Sequence, residues 1–129
     1  MPLAYLSSDI ILYPSIVPEP FGRVPIEAQA AGKIIIASDD GGTKETIVDG
    51  INNSGFRFKS NNIDDLIDKI DFALKLSDGE ISNIAERARK NVSENFSLEN
   101  MCKKTLDVYD RILNVLYCLL YTSDAADEE

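Results

Sequence analysis

Two short apolar runs, DIILY at residues 9–13 and KIIIA at residues 33–37, most constrain the fold of this chain. Each run ends in turn-forming residues, and neither alternates polar with apolar positions. Such runs are typical of strands in a parallel sheet that is covered on both faces. The sequence therefore predicts two buried parallel strands near the start of the chain.

The segment between the two runs, residues 22–31, predicts a helix. Ile26 and Ala30 lie on one face at helical spacing, and Pro25 is tolerated because it falls in the first turn. Gly32 suits the position just past the end of a helix. The three elements form a strand, helix, strand unit with short connections, the repeating unit of α/β folds.

Downstream, a short helix is expected from Thr43 to Val48 and a third strand from Gly55 to Phe58. Beyond them, apolar residues recur at steps of three and four, which predicts helices. Asn62, Asp78 and Ser97 are the expected N-caps of three of these helices. The order predicts an α/β domain of three layers, with a short parallel sheet followed by C-terminal helices.

Composition narrows the possible functions. The 22 acidic residues outnumber the 13 basic ones, no basic cluster is present, and nucleic acid is therefore not an expected partner. Histidine is absent and the two cysteines, Cys102 and Cys118, lack metal-ligand spacing, so neither a metal site nor a disulfide framework is expected. No run approaches the roughly 18 apolar residues of a membrane span, and no signal peptide is recognised, which predicts a cytoplasmic location.

The end of the chain departs from this pattern. From Cys118 it reads CLLYTSDAADE, which resembles a translated sequencing-library adapter. Residues 118–129 are therefore predicted to be a non-native tail, and residues 1–117 to be the domain. The alternative is an ordinary helix end followed by an acidic, disordered terminus.

The segment PSIVPEPFGRVPIEAQAA, residues 14–31, carries the candidate chemistry. Glu19 lies in the loop that leaves the first strand, at the carboxyl edge where open α/β sheets bind ligands. Glu27 lies one to two turns into the next helix, and its side chain tilts back toward the helix start. Gly22 permits close approach of a ligand to the first-turn amides, which favour phosphate. This layout suits a nucleotide sugar, with hydroxyls at both ends and phosphates between them.

The motifs DIILYPS, EPFGRVPIEAQAAG, IIIAS, GGTKETIVDG and NFS resemble the C-terminal domain of the retaining glycosyltransferases called group 1 or family 4. The resemblance covers residues 5–116 and implies a partial Rossmann-like domain of the GT-B fold. It also implies a hexosyltransferase that uses a nucleoside diphosphate sugar as substrate, without a cofactor, and a saccharide or lipid as acceptor. The E-x7-E motif implies that Glu19 is catalytic and contacts the donor sugar, and that Glu27 binds the ribose.

The resemblance implies further donor contacts, because Phe21 and Gly22 follow the first glutamate and Gly41-Gly42 matches a family glycine loop. The predicted donor-binding residues are Glu19, Phe21, Gly22, Glu27, Gly41 and Gly42. The family's phosphate-binding Arg and Lys and its acceptor-binding N-terminal domain are expected upstream of Met1. The fragment alone is therefore expected to be inactive. Peripheral association of the parent protein with a membrane is a separate expectation.

Simpler interpretations stay open for each feature. A glutamate pair at this spacing also arises by chance, Gly41-Gly42 is also typical of a plain turn, and Asp39-Asp40 is more typical of a turn or helix cap than of a metal site. The alternative function is a non-catalytic Rossmann-like module that binds a nucleotide or a protein partner. An NAD enzyme is disfavoured because no G-x-G-x-x-G sequence follows either strand.

Overall fold

The computed structural model describes the backbone of residues 2–127 and the side chains of residues 3–122. The chain divides into two compact units, Met1–Asn95 and Phe96–Glu129. The elements of the first unit are α1 (Pro2–Leu6), β1 (Ile10–Tyr13), α2 (Arg23–Ala30), β2 (Ile34–Ser38), α3 (Thr43–Thr46), β3 (Phe56–Phe58), α4 (Ile63–Leu74) and α5 (Asp78–Asn95). The second unit contains the helix α6 (Leu98–Asp127).

The three strands form a parallel sheet in the order β1-β2-β3. Ile10 pairs with Ile34 at the start of β1, and Ser38 pairs with Phe58 at the end of β3. The predicted α/β, Rossmann-like architecture is confirmed. Each strand begins one residue later than predicted, and β2 extends through Ser38 because that residue still pairs with β3.

The core lies on both faces of β2, because successive side chains of a strand point to opposite faces. Ile34 and Ile36 pack with Ala73 of α4 and Ile84 of α5. The other face carries a second cluster, consisting of Ala28, Ile35, Ala37 and Ile47. Helices therefore cover the sheet on both sides, as the continuous apolar run of β2 predicts.

The prediction that β1 is buried on both faces is wrong. Leu12 is 47% exposed, whereas every residue of β2 is buried. Within the described part of the chain, β1 pairs along one edge only, with β2. The apolar run identified a strand correctly, but it did not distinguish an edge strand from the central one.

Two of the predicted helix caps are present. The side chain of Asn62 accepts a hydrogen bond from the amide of Asp65 at 3.0 Å. The hydroxyl of Ser97 accepts one from the amide of Asn100 at 3.1 Å. Each bond satisfies a first-turn amide that has no partner within its helix.

The cap predicted at Asp78 is wrong, because Ser77 occupies that position. The hydroxyl of Ser77 accepts from the amide of Glu80 at 3.3 Å, and the Glu80 carboxylate accepts from the amide of Ser77 at 2.8 Å. This reciprocal pair is a capping box, which places Asp78 inside the first turn. The amide of Ser77 lowers the pKa of the Glu80 carboxyl, because the hydrogen bond favours the charged form.

The second unit is described by itself. Helix α6 runs from Leu98 to Asp127 without a break at Cys118. That residues 118–129 are a non-native tail stays a prediction. The last two residues of this segment lie outside the described part of the chain. Among the described helices, α6 included, none combines the length and apolar character needed to cross a membrane.

Candidate functional site

The site begins where the loop after β1 turns into α2. Gly22 occupies the N-cap position of α2 with φ +62°. This left-handed conformation is one that residues with a Cβ rarely adopt. Glycine has no side chain that could cap the helix, so the N-terminus of α2 has no side-chain cap at this residue. Such an N-terminus favours negative charge.

Glu19 lies in this loop and is exposed. Its Oε2 atom accepts a hydrogen bond from the hydroxyl of Tyr13, the last residue of β1. A Cβ added at Gly22 would lie 3.5 Å from the Tyr13 hydroxyl and 3.6 Å from Glu19 Oε2. The Tyr13–Glu19 pair therefore stands directly beside the start of α2. The hydrogen bond to Glu19, followed by burial, raises the pKa of Tyr13 to about 12.

Glu27 lies one turn into α2, and its Oε2 atom accepts a hydrogen bond from the hydroxyl of Tyr5 at 2.8 Å. Arg23, one turn earlier, approaches the other oxygen at 4.0 Å. Burial, followed by the hydrogen bond to Glu27, raises the pKa of Tyr5. The Glu27 side chain is 42% exposed, so this carboxylate is accessible from solvent rather than sealed in the core.

The two tyrosines hold the two glutamates on one side of the sheet. The rings of Tyr5 and Tyr13 both pack against the apolar cluster that contains Ala28 and Ile35. This is the face of the sheet that α2 covers. Both carboxylates therefore belong to the α2 side, one at its start and one a turn further along.

Gly41 and Gly42 pack against the backbone of the loop that carries Glu19, here called the glutamate loop. The amide of Gly42 donates to the carbonyl of Glu19 at 2.9 Å. A Cβ at Gly41 would lie 2.3 Å from that carbonyl oxygen, and one at Gly42 would lie 2.6 Å from Phe21 Cα. The structure thus brings Gly41, Gly42, Phe21 and Glu19 together. The glycines permit a close backbone contact that supports the loop, while their contact with the donor stays a prediction.

The acidic pair after β2 forms a turn. Asp39 is bonded to Arg57 of β3 at 3.1 Å. The Asp40 carboxylate accepts from the amide of Gly41 at 2.9 Å. Asp39 therefore pairs with the neighbouring strand, whereas the bond of Asp40 is local and matches the turn interpretation.

A buried polar network fixes the orientation of α2. Gln29 is fully buried, and its side-chain amide donates to the carbonyls of Pro25 at 3.0 Å and Thr46 at 2.9 Å. Its oxygen accepts from Asn91 of α5 at 2.8 Å. The helix that carries Glu27 is thereby joined to α3 and α5.

Sequence reasoning missed Tyr5, Tyr13 and Gln29 as supporting residues of this site. Tyr13 ends a predicted strand six residues before Glu19, a position from which a contact was foreseeable. Tyr5 lies in α1, a helix that the sequence pattern did not predict, and it is 22 residues from its partner. No local pattern indicates a contact of that range.

The comparison with protein families agrees with this fold. A family model described as glycosyl transferases group 1 matches residues 1–94. The chain belongs to this family. The resemblance that the sequence motifs indicated is therefore confirmed.

Known relatives are longer than this chain. Lipopolysaccharide 1,2-N-acetylglucosaminetransferase from Salmonella typhimurium is 38% identical over 101 residues, which are 78% of this chain and 26% of the relative. The chain spans about a quarter of the length of the curated relatives that it matches.

Two solved structures extend the comparison. A glycosyltransferase from Rickettsia africae is 44% identical, with a TM-score of 0.74, over 85% of this chain and 29% of that one. HepE from Anabaena, solved in complex with UDP and glucose, is 26% identical, with a TM-score of 0.73, over 84% of this chain and 29% of that one.

Proposed function

We propose that the protein carrying this chain is a retaining glycosyltransferase of the hexosyl type. It moves a sugar from a nucleoside diphosphate sugar to a saccharide or lipid acceptor, and residues 1–117 form its donor-binding part. The donor is a substrate, and no cofactor is required. The observation that carries the proposal is that each motif glutamate is paired with a tyrosine hydroxyl, Glu19 beside the start of α2 and Glu27 one turn into that helix. Family membership and the Anabaena complex with UDP and glucose support it.

Glu19 is assigned to the donor sugar. An ionised carboxylate accepts hydrogen bonds through two oxygens with about four lone-pair positions, and Tyr13 occupies one of them. The remaining positions accept sugar hydroxyls, each bond contributing about 1.5 to 3 kcal/mol where water is excluded. Glu19 thereby orients the reacting sugar, which is the role that the E-x7-E motif implies for it.

The start of α2 is assigned to the donor diphosphate. Gly22 lacks a side chain that would obstruct the approach, and the helix dipole attracts the negative charge. Transfer requires stabilisation of the departing diphosphate and an acceptor hydroxyl held in position. The amides near Phe21 and Gly22 supply one part of that stabilisation. The family's basic residues and the acceptor domain, expected outside this chain, supply the rest.

Glu27 is assigned to the nucleotide ribose. Its carboxylate is reachable from solvent and is oriented by Tyr5, so that its second oxygen is available to the ribose hydroxyls. The distance of one to two helical turns from Gly22 matches the order of sugar, diphosphate and ribose along a donor. Gly41 and Gly42 contribute by supporting the loop that carries Glu19.

The acceptor and the location of the protein are part of the same proposal. The acceptor binds outside this chain, and the name of the Salmonella relative, a lipopolysaccharide transferase, supports a saccharide or lipid. The enzyme is placed in the cytoplasm, with peripheral association of the parent protein with a membrane.

The test is a kinetic comparison in the full-length protein that carries this chain. Glu27→Ala is expected to raise the donor KM at least as much as it lowers kcat, because it removes a ground-state contact with the ribose. Glu19→Gln is expected to lower kcat most. Glu86→Ala, which removes an exposed carboxylate from α5, is the matched control and is expected to change neither constant.

The outcomes separate the hypotheses. Unchanged kcat and KM in both the Glu19 and the Glu27 variants would remove the proposed site. A full-length protein that binds UDP but transfers no sugar from any of the common nucleoside diphosphate sugars would favour the non-catalytic, nucleotide-binding alternative. UDP titration of the isotopically labelled chain, followed by amide chemical shifts near Gly22, measures that binding directly.

A further inference from the structure

Tyr13 links the parallel sheet to the side chain of Glu19, the proposed sugar-binding residue. It is the last residue of β1, where it pairs with Ala37 of the central strand. Its ring packs against the apolar cluster on the α2 face, so the position of the ring is determined by the core. Its hydroxyl reaches the carboxyl edge of the sheet and donates to Glu19.

The backbone of Glu19 is held by Gly42, but its side chain is exposed. It lies in an exposed loop in which Ile16 and Val17 are 73% and 71% exposed. An exposed glutamate side chain samples several rotamers, and holding it in one of them has an entropic cost. A fixed donor such as Tyr13 favours one rotamer before the ligand arrives, which is the physical basis of preorganisation.

The geometry around Gly22 shows which rotamer is favoured. The position that a Cβ would take at Gly22 lies within 3.6 Å of both the Tyr13 hydroxyl and Glu19 Oε2. The hydrogen bond therefore holds the carboxylate beside the first residue of the α2 N-terminus. In the proposed complex this is where the donor sugar meets the diphosphate.

We propose that Tyr13 is a positioning residue that acts through Glu19, holding its carboxylate beside the start of α2 so that the other acceptor positions face the donor sugar. This inference rests on the proposed function. It assigns a role in donor positioning to a residue outside the E-x7-E motif. The raised pKa of Tyr13 agrees with this geometry, because a phenol that donates to a carboxylate is harder to deprotonate.

Tyr5 serves as an internal comparison, because it forms the equivalent bond with the other glutamate. If each tyrosine acts through its own partner, the two hydroxyls have different kinetic effects. Loss of the Tyr13 hydroxyl affects the orientation of the sugar, whereas loss of the Tyr5 hydroxyl affects the binding of the nucleotide.

The experiment compares Tyr13→Phe, Glu19→Ala and the double variant in the full-length glycosyltransferase that carries this chain. Tyr13→Phe is expected to lower kcat about 10-fold to 100-fold, the size of effect produced by a misplaced reacting group, with the donor KM changed less than about 3-fold. Tyr109→Phe, an exposed tyrosine of α6, is the matched control and is expected to leave kcat unchanged. Affinity for UDP, which has no sugar, is expected to be the same in Tyr13→Phe and the parent protein.

The double variant distinguishes a positioning role from a structural one. Because Tyr13 acts through Glu19, adding Tyr13→Phe to Glu19→Ala, which removes the acceptor altogether, is expected to lower kcat by less than about 2-fold further. The inference would be overturned if Tyr13→Phe alone left kcat unchanged. It would also be overturned if Tyr13→Phe lowered kcat by the same factor whether or not Glu19 was present. If Glu19→Ala itself had no effect, the proposed function would fail instead, so the two failures are distinguishable.

Discussion

Asn91 of α5 and Gln29 of α2, 62 residues apart, are joined by a side-chain hydrogen bond of 2.8 Å. Gln29 has no exposed surface, and its own amide bonds to Thr46 at the end of α3. Buried polar groups are retained where they are fully paired, and a paired network favours one arrangement of the elements that it joins. The orientation of α2, and with it the position of Glu27, depends on this network.

Replacing Gln29 with leucine is expected to destabilise the chain by about 1 to 3 kcal/mol. The substitution keeps the volume roughly constant, but it removes the partner of Asn91 and leaves that partly buried amide, and the carbonyls of Pro25 and Thr46, with fewer hydrogen bonds. Urea unfolding of the 129-residue chain measures the change, with Ser82→Ala on the exposed face of α5 as control. A loss below about 0.5 kcal/mol, the range of ordinary surface substitutions, would contradict the importance of the network.

Gly42→Ala tests the close contact between the two loops. Gly42 has φ −67°, which any residue adopts, so the effect of the new methyl group is steric rather than conformational. The methyl would lie 2.6 Å from Phe21 Cα and from its carbonyl oxygen, and the glutamate loop must shift. We expect destabilisation of about 1 to 3 kcal/mol and weaker UDP binding.

Gly79→Ala is the matched control for this substitution. Gly79 lies in the first turn of α5 and a Cβ there meets nothing within 4 Å. Alanine at this position is expected to stabilise the chain by about 0.5 kcal/mol, because glycine loses more backbone entropy in a helix. Equal effects of the two substitutions on unfolding would show that the loop contact is not tight.

The ionisation of Tyr13 gives a direct measure of its bond to Glu19. The pKa of Tyr13 is raised to about 12, above the usual value of 10.0. Between these two values the unfolded chain loses the phenolic proton while the folded chain keeps it, so this contribution to stability is complete below pH 10 and declines as the pH rises through 12.

Glu19→Ala is expected to move the pKa of Tyr13 back toward 10, because alanine removes both the hydrogen-bond acceptor and the negative charge that favour the protonated phenol. The ring carbon shift of Tyr13 as a function of pH, assigned with the Tyr13→Phe variant, reports the titration. If Tyr13 titrates at the same pH in both proteins, the hydrogen bond to Glu19 does not exist in solution.

The sequence was informative wherever a local pattern determines the structure. The apolar run of β2 predicted a buried strand, and its burial follows from its place between β1 and β3. The same pattern in β1 did not predict the exposure of Leu12, because strand order is a property of the whole sheet. Likewise, the S-x-x-E spacing of Ser77 and Glu80 was available in the sequence and would have given the correct cap.

The site was predictable only in part, for the same reason. The spacing of Glu19 and Glu27 was enough to place one in a loop and the other on the following helix, because both positions depend on the local strand-to-helix order. Their partner Tyr5 was not predictable, since its contact spans 22 residues and depends on how α1 packs. Tertiary contacts of this kind have no signature in a single sequence.

Deleting residues 118–129 tests the prediction that this segment is a non-native tail. The deletion removes the last part of α6, a helix of the second compact unit. Unfolding of the first unit is expected to change by less than about 0.5 kcal/mol, because no packed position of that unit is altered. Tryptophan is absent, so tyrosine fluorescence or backbone amide exchange follows the transition. A loss of several kcal/mol would show that the segment is part of the native domain.

Tyr5→Phe distinguishes the hydroxyl of Tyr5 from Arg23 as the group that orients Glu27. The Tyr5 bond is 2.8 Å long and partly buried, whereas the Arg23 contact is 4.0 Å long and the Arg23 side chain is 88% exposed. Exposed ion pairs of this kind contribute about 0 to 1 kcal/mol, while a hydrogen bond to a charged group contributes about 1.5 to 3 kcal/mol.

Only part of the energy of the Tyr5 bond affects ligand binding, because the bond orients the Glu27 carboxylate and does not contact the ligand itself. We therefore expect Tyr5→Phe to weaken UDP binding about 3-fold to 10-fold and Arg23→Gln to change it less than 2-fold. Calorimetric titration with UDP at two salt concentrations measures both effects. A larger loss in Arg23→Gln than in Tyr5→Phe, removed by added salt, would assign the orientation of Glu27 to the ion pair instead.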